Sequence, residues 1–125
     1  MTKLDLVFNP VSGSFSQDVC DKLASALVDS GFEVNVLPTT AEGTVLSGTA
    51  DLVCVHGGDG TLRDTVQALG ADADRIPLAI APSGTINLVA RELNYPRNPK
   101  SFAKKLADAW ARGPEGWVEA PLYRL

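Results

Sequence analysis

Val53-Cys54-Val55-His56-Gly57-Gly58-Asp59-Gly60-Thr61 is the stretch whose reading decides the fold. An apolar, β-branched-rich segment stops on three glycines around one aspartate, and Leu62, Val66 and Leu69 follow at helical spacing. A strand that ends this way leaves bare backbone N–H groups beside a carboxylate, which is the chemistry of a phosphate and metal site. Read alone, the motif is equally a tight turn, because Asp-Gly favours turns without any ligand. Neither a Gly-Lys-Ser/Thr ending nor the spacing Gly-x-Gly-x-x-Gly is present.

Working outward, residues 4–8 read as a first strand that breaks into Asn9-Pro10-Val11-Ser12-Gly13-Ser14. Val19, Leu23, Ala26 and Leu27 recur at helix spacing, with Ser14 or Ser16 as cap and Gly31 as the left-handed stop. Residues 32–37 make a second strand. Residues 38–50 carry Gly43, Gly48, Thr39, Thr40, Thr44 and Thr49, so this connection is at best a weak helix. Residues 51–55 read as a third strand, buried on both faces, and residues 61–69 as a helix closed by Gly70. A fourth strand over 77–81 breaks into Pro82-Ser83-Gly84-Thr85, before a short helical pattern at 86–93. Asn98-Pro99 opens a last helix with Phe102, Leu106 and Trp110 inward and Gly113-Pro114 as its stop. Strands alternating with helices predict a three-layer α/β/α sandwich around a mostly parallel sheet. The loops 9–14, 57–61 and 82–85 all follow strands, so they are expected to share one sheet edge and one crevice.

At 125 residues the chain fits a single domain, and its 45% hydrophobic and 21% charged residues suit an ordinary globular protein. Its apolar runs are too short to cross a bilayer, and no secretory signal follows Met1, so the expected compartment is cytoplasmic. Cys20 and Cys54 have no partner at metal-ligand spacing and read as reduced core thiols. The net charge of −4 argues against nucleic acid as a partner, although it is unevenly spread. Residues 1–90 hold 4 Lys/Arg against 11 Asp/Glu, whereas residues 91–112 hold 6 against 2.

Asn9-Pro10-Val11-Ser12-Gly13, Gly57-Gly58-Asp59-Gly60-Thr61 and Pro82-Ser83-Gly84-Thr85-Ile86-Asn87-Leu88-Val89-Ala90-Arg91, in that order, resemble the three signatures of the diacylglycerol kinase catalytic domain family. That family includes bacterial lipid kinases and sphingosine and ceramide kinases, and is related to NAD kinases through the Gly-Gly-Asp-Gly-Thr loop. The resemblance covers nearly the whole chain and implies the NAD kinase/diacylglycerol kinase-like N-terminal fold, with residues 1–125 as its nucleotide-binding domain. It implies ATP lying across these loops: Asn9, Pro10, Val11, Ser12 and Gly13 near the nucleotide, Gly57, Gly58, Asp59, Gly60 and Thr61 around the phosphates, and Thr85 on the far side. Thr39, four residues before Gly43, matches a further nucleotide-contacting threonine. Asp59 is the expected catalytic and Mg²⁺-binding residue.

The implied function is transfer of the γ-phosphoryl group of ATP to a lipid hydroxyl such as that of diacylglycerol, in lipid metabolism and phospholipid biosynthesis. The alternatives are an NAD kinase-type enzyme with a soluble substrate and a catalytically inactive nucleotide-binding or sensor domain. The family places its general base and much of its lipid pocket in a following β-rich domain, which this chain is expected to lack; residues 117–125 read as no more than a first crossing strand. The chain is therefore expected to fold and to bind Mg-ATP weakly, without turnover. Its expected partners are a nucleotide and a lipid, with at most peripheral membrane contact and a homodimer left open.

Arg63, Asp64, Ile86 and Leu88 depart from the family pattern, which usually has Asn, Glu, Gly and Asp there; these departures bear on substrate and activity more than on fold. Arg63 keeps a donor but changes its geometry. His56 reads as a structural strand-end histidine rather than a phosphate donor. Arg91, Arg97, Lys100, Lys104, Lys105 and Arg112 read mainly as a solvated face with a Lys104–Asp108 pair. A valine at Gly58 is expected to cost affinity and stability together if that backbone needs a positive φ or a close phosphate.

Overall fold

Period-two alternation sorts β1 (Thr2–Phe8) cleanly: Leu4, Leu6 and Phe8 point to one face of the sheet, Asp5 and Val7 to the other. In the computed structural model, which describes residues 1–11, 15–82 and 98–113, β1 is an inner strand. It pairs in parallel with β2 (Phe32–Pro38) on one side and β3 (Leu52–Gly57) on the other, and β3 pairs in parallel with β4 (Leu78–Pro82). The sheet order is β2-β1-β3-β4. Every residue of β3 is buried, as expected for an inner parallel strand covered on both faces.

Helices α1 (Gln17–Asp29) and α3 (Pro99–Arg112) cover the first face, where Cys20, Leu23, Leu27, Phe102 and Leu106 pack on Leu4, Leu6, Phe8, Cys54 and Ala79. Helix α2 (Asp59–Leu69) covers the second, with Leu62 and Leu69 over Val7, Val53, Val55 and Ile80. The result is the expected α/β/α sandwich. Two of the caps are local and follow the sequence reading. Ser16 Oγ accepts from the Val19 N–H at 3.3 Å, and Asn98 Oδ1 accepts from the Ser101 N–H at 3.1 Å with Pro99 in the first turn. Gly31, at φ 103°, follows the last turn of α1 as the left-handed residue. Trp110 sits at the rim of the core, its indole N–H donating to Thr2 Oγ1 at 3.2 Å. Both cysteines are free and buried.

Several expectations change. The connection over 38–50 contains no helix; polar ties hold it instead. Thr40 and Gly43 exchange backbone hydrogen bonds at 2.8 and 3.0 Å, closing a turn with Gly43 at φ 113°. Ser47 then donates its N–H (3.0 Å) and its hydroxyl (2.8 Å) to Asp5 Oδ2, while Asn35 Nδ2 donates to Asp5 Oδ1 at 3.4 Å. Leu46 packs onto the cluster beneath α2. β3 runs on through His56 to Gly57, and α2 begins at Asp59 rather than at residue 61, so the expected loop is a strand end plus the first helical turn. Gly70–Asp74 forms a 3₁₀ turn, in which Asp72 pairs with Arg75 at 2.7 Å, the residue that follows the turn. The expected Lys104–Asp108 pair does not form, and Arg112 Nε donates to the Asp108 carbonyl at 3.4 Å instead. The helical pattern at 86–93 lies outside the described residues. Among those residues no helix is long and apolar enough to cross a membrane.

Candidate functional site

The strand register places the candidate loops. Phe8 lies beside Pro38 and His56, His56 beside Ala81, and Gly57 beside Pro82, so all four carboxyl ends meet one edge. From β1 the chain goes to β2 on one side, and from β3 to β4 on the other; the helix after β1 covers one face and the helix after β3 the opposite one. Order and face thus both reverse between β1 and β3, which is where open α/β sheets leave a crevice for ligands.

The structure brings Asn9, Thr39 and the stretch 57–61 to this edge. Asn9, just past β1, is half-buried and accepts from the Val11 N–H through Oδ1 at 3.1 Å, which turns the chain away from the sheet; Pro10 and Val11 are exposed. Thr39, just past β2, donates its N–H to the Phe8 carbonyl at 2.8 Å, which ties the two strand ends together. Ser12, Gly13 and Thr85, and with them Ser83, Gly84 and Arg91, lie outside the described residues.

Gly58 is the N-cap of α2 and offers no side-chain cap, unlike Ser16 and Asn98 at the other two α-helices among the described residues. The first-turn N–H groups therefore face the edge with the positive end of the helix dipole behind them. Gly58 has φ −88°, so a left-handed backbone is not why this position is glycine, and a Cβ there would meet no atom within 4 Å. Gly60 is equally open. Gly57 is different: a Cβ there would lie 2.7 Å from Thr61 Oγ1 and 2.9 Å from Thr61 Cβ. Thr61 is buried, its side chain seated over Gly57. Gly57 and Thr61 thus fix how α2 leaves β3, while Gly58 and Gly60 keep its first turn bare.

Two side-chain oxygens among the described residues are buried without a hydrogen-bond partner: Asp59 Oδ1 and Thr44 Oγ1. Orphans of this kind are rare, because each costs about 1–3 kcal/mol. Asp59 opens α2 and presents a hard oxygen donor, the ligand type Mg²⁺ prefers. No three His, Cys, Asp or Glu side chains gather among the described residues, and Glu42, in the turn after Thr39, is exposed. His56 is committed to the scaffold. Its Nδ1–H donates to the Ala81 carbonyl at 3.3 Å, across the β3–β4 pair. Burial holds the ring pKa below its ordinary value near 6.5, against the opposing pull of that bond.

Comparison with known proteins places the chain in a family and matches its fold. A family model described as the diacylglycerol kinase catalytic domain matches residues 3–113. A Staphylococcus haemolyticus protein named diacylglycerol kinase is 32% identical over 100 residues, covering 73% of this chain and 30% of its own length. A Mycobacterium tuberculosis H37Rv protein of the same name is 47% identical over 68 residues, covering 53% of this chain and 21% of its own. A crystal structure of a diacylglycerol kinase from Bacillus anthracis str. Sterne superposes with a TM-score of 0.70 at 30% identity, covering 85% of this chain and 39% of that one. The chain thus spans between about a fifth and a third of the length of the curated relatives it matches.

Proposed function

Since this chain belongs to the diacylglycerol kinase catalytic domain family, we propose that it is the ATP-binding domain of a cytoplasmic lipid kinase. The reaction is attack of a lipid hydroxyl, such as that of diacylglycerol, on the γ-phosphorus of ATP. A P–O bond forms to the lipid oxygen, the bond to the β-phosphate oxygen breaks, and ADP leaves with the electron pair. A general base must take the proton from the lipid hydroxyl, and the family resemblance implies that this base lies in a β-rich domain outside residues 1–125.

The observation that carries the reading is the bare first turn of α2 with an unpartnered, buried carboxylate oxygen at its start. A triphosphate is drawn to such a helix end, yet Asp59 would repel it. Two like charges about 4 Å apart cost on the order of 4 kcal/mol at an effective dielectric of 20. A divalent cation held by Asp59 would offset that repulsion, and the oxygen donor of Asp59 fits Mg²⁺. Mg²⁺ would neutralise charge on the transferring phosphoryl group. Gly58 and Gly60 let phosphate oxygens approach the backbone N–H groups, with Asn9 and Thr39 at the same edge; the family resemblance adds Pro10, Val11, Ser12, Gly13 and Thr85 as nucleotide contacts. Gly57 and Thr61 hold the loop in place.

Calorimetric titration of Mg-ATP into the wild-type chain and Asp59→Asn tests this. Wild type is expected to bind, and the variant to lose roughly tenfold or more in affinity, about 1.4 kcal/mol, while its folding stability changes by less than about 1 kcal/mol. Equal affinities would remove the metal role from Asp59. Robust phosphorylation of diacylglycerol by the 125-residue chain alone would place the catalytic base within it. A folded chain that binds no nucleotide would instead be a decayed kinase domain.

A further inference from the structure

We infer that the Thr44 hydroxyl is a further ligand contact of this site and donates to a phosphate oxygen of the bound nucleoside triphosphate; the inference rests on the nucleotide-site reading above. Thr44 holds the second of the two buried side-chain oxygens that have no hydrogen-bond partner among the described residues. Its place in the fold points to the same edge. The Thr40–Gly43 turn, which opens directly after Thr39 at the end of β2, delivers the chain into Thr44. Two residues later Leu46 packs into the cluster that holds Leu62. The Leu62 N–H in turn bonds the Gly58 carbonyl at 3.2 Å, within the opening turn of α2. Thr44 therefore lies on the short path between the carboxyl edge and the face that α2 covers.

The placement is imposed from both sides. Upstream, Thr39 is bonded to the Phe8 carbonyl; downstream, Ser47 is bonded twice to Asp5, which is only 1% exposed. A connection pinned at both ends holds Thr44 in position whatever its hydroxyl does. A surface rotamer that wandered would not leave a buried oxygen, and a residue selected for packing alone would be valine, which has the same shape without the unsatisfied hydroxyl. Asp59 and Thr44 do not bond each other, since neither has a partner. Each needs a third body. An ionised carboxylate only accepts and so calls for a cation or a donor, whereas a hydroxyl donates to an anionic oxygen. Mg-ATP carries both kinds of partner.

The test uses the 125-residue chain, Mg-ATP as probe, and the pair Thr44→Val and Thr44→Ser. Valine is expected to weaken Mg-ATP binding about tenfold and to raise the thermal midpoint of the ligand-free protein, because it removes the orphaned hydroxyl while keeping its volume. Serine is expected to stay within about threefold of wild-type affinity. This opposition of affinity and stability is what a purely structural threonine would not produce. Wild-type affinity in Thr44→Val overturns the inference while leaving the nucleotide site standing. Equal losses in both variants assign the effect to packing and overturn it too, as does a lowered midpoint in Thr44→Val, which would mean that the hydroxyl is already satisfied. A wild-type chain that is folded but binds no Mg-ATP brings down the proposed function and this contact with it.

Discussion

Gly57 and Gly58 are adjacent glycines with different reasons for being glycine. Gly57 has no room for a side chain, because Thr61 Oγ1 would stand 2.7 Å from its Cβ and the Thr61 side chain is itself buried. Gly58 has room on every side and an ordinary backbone. Gly57→Ala is therefore expected to destabilise the chain by about 1–3 kcal/mol, as forced overpacking does. Gly58→Ala is expected to stay within about 1 kcal/mol of wild type, since the small loss at the cap opposes a gain in the unfolded chain, yet to weaken Mg-ATP binding. Urea titrations of both variants, with calorimetry on the second, check the contrast; equal destabilisation would show that the two glycines share one structural role. The sequence shows three glycines around an aspartate but not which of them a neighbour crowds. That depends on where the Thr61 side chain comes to rest, and the first helical turn decides it.

Helix ends were legible at the level of elements because the groups that satisfy them are neighbours in the chain. Ser16 and Asn98 each cap N–H groups three residues away, and Gly31 turns the backbone where α1 stops. The β2–β3 connection was not legible in that way. Its threonines and glycines give no period, and the bonds that hold it reach from Ser47 back to Asp5, 42 positions earlier. Asp5 lies inside the otherwise apolar stretch 4–8 of β1, and only the folded sheet shows that it faces this connection. Asp5→Ala leaves the Ser47 N–H and hydroxyl without their acceptor, which is expected to cost about 1–3 kcal/mol. It should also loosen the crossover that carries Thr39 and Thr44. A lowered urea midpoint, with faster amide exchange at Ser47 than in wild type, is the expected result; an unchanged midpoint would show that Leu46 alone holds the connection against the sheet.

Stability of the whole molecule should carry the mark of its single histidine. Burial lowers the folded-state pKa of His56, so between that value and the unfolded value near 6.5 the unfolded chain binds more protons than the folded one. The contribution is complete above about pH 6.5 and is lost as pH falls through the folded-state value. The urea midpoint is therefore expected to be lower at pH 5.5 than at pH 7.5, and His56→Asn should flatten that difference; identical slopes would mean that the ring protonates as freely in the folded chain as outside it. The sequence by itself determined the order of strands and helices, the burial of β3 and the kinship of the glycine loop, because hydrophobic period and turn chemistry act between near neighbours. Tertiary structure alone decided the strand order that sets β1 beside β3, the crowding of Gly57 by Thr61, the tether from Ser47 to Asp5, and the stranding of the Thr44 and Asp59 oxygens. Those outcomes depend on which distant side chains meet once the sheet has closed its two faces, and no local pattern encodes that meeting.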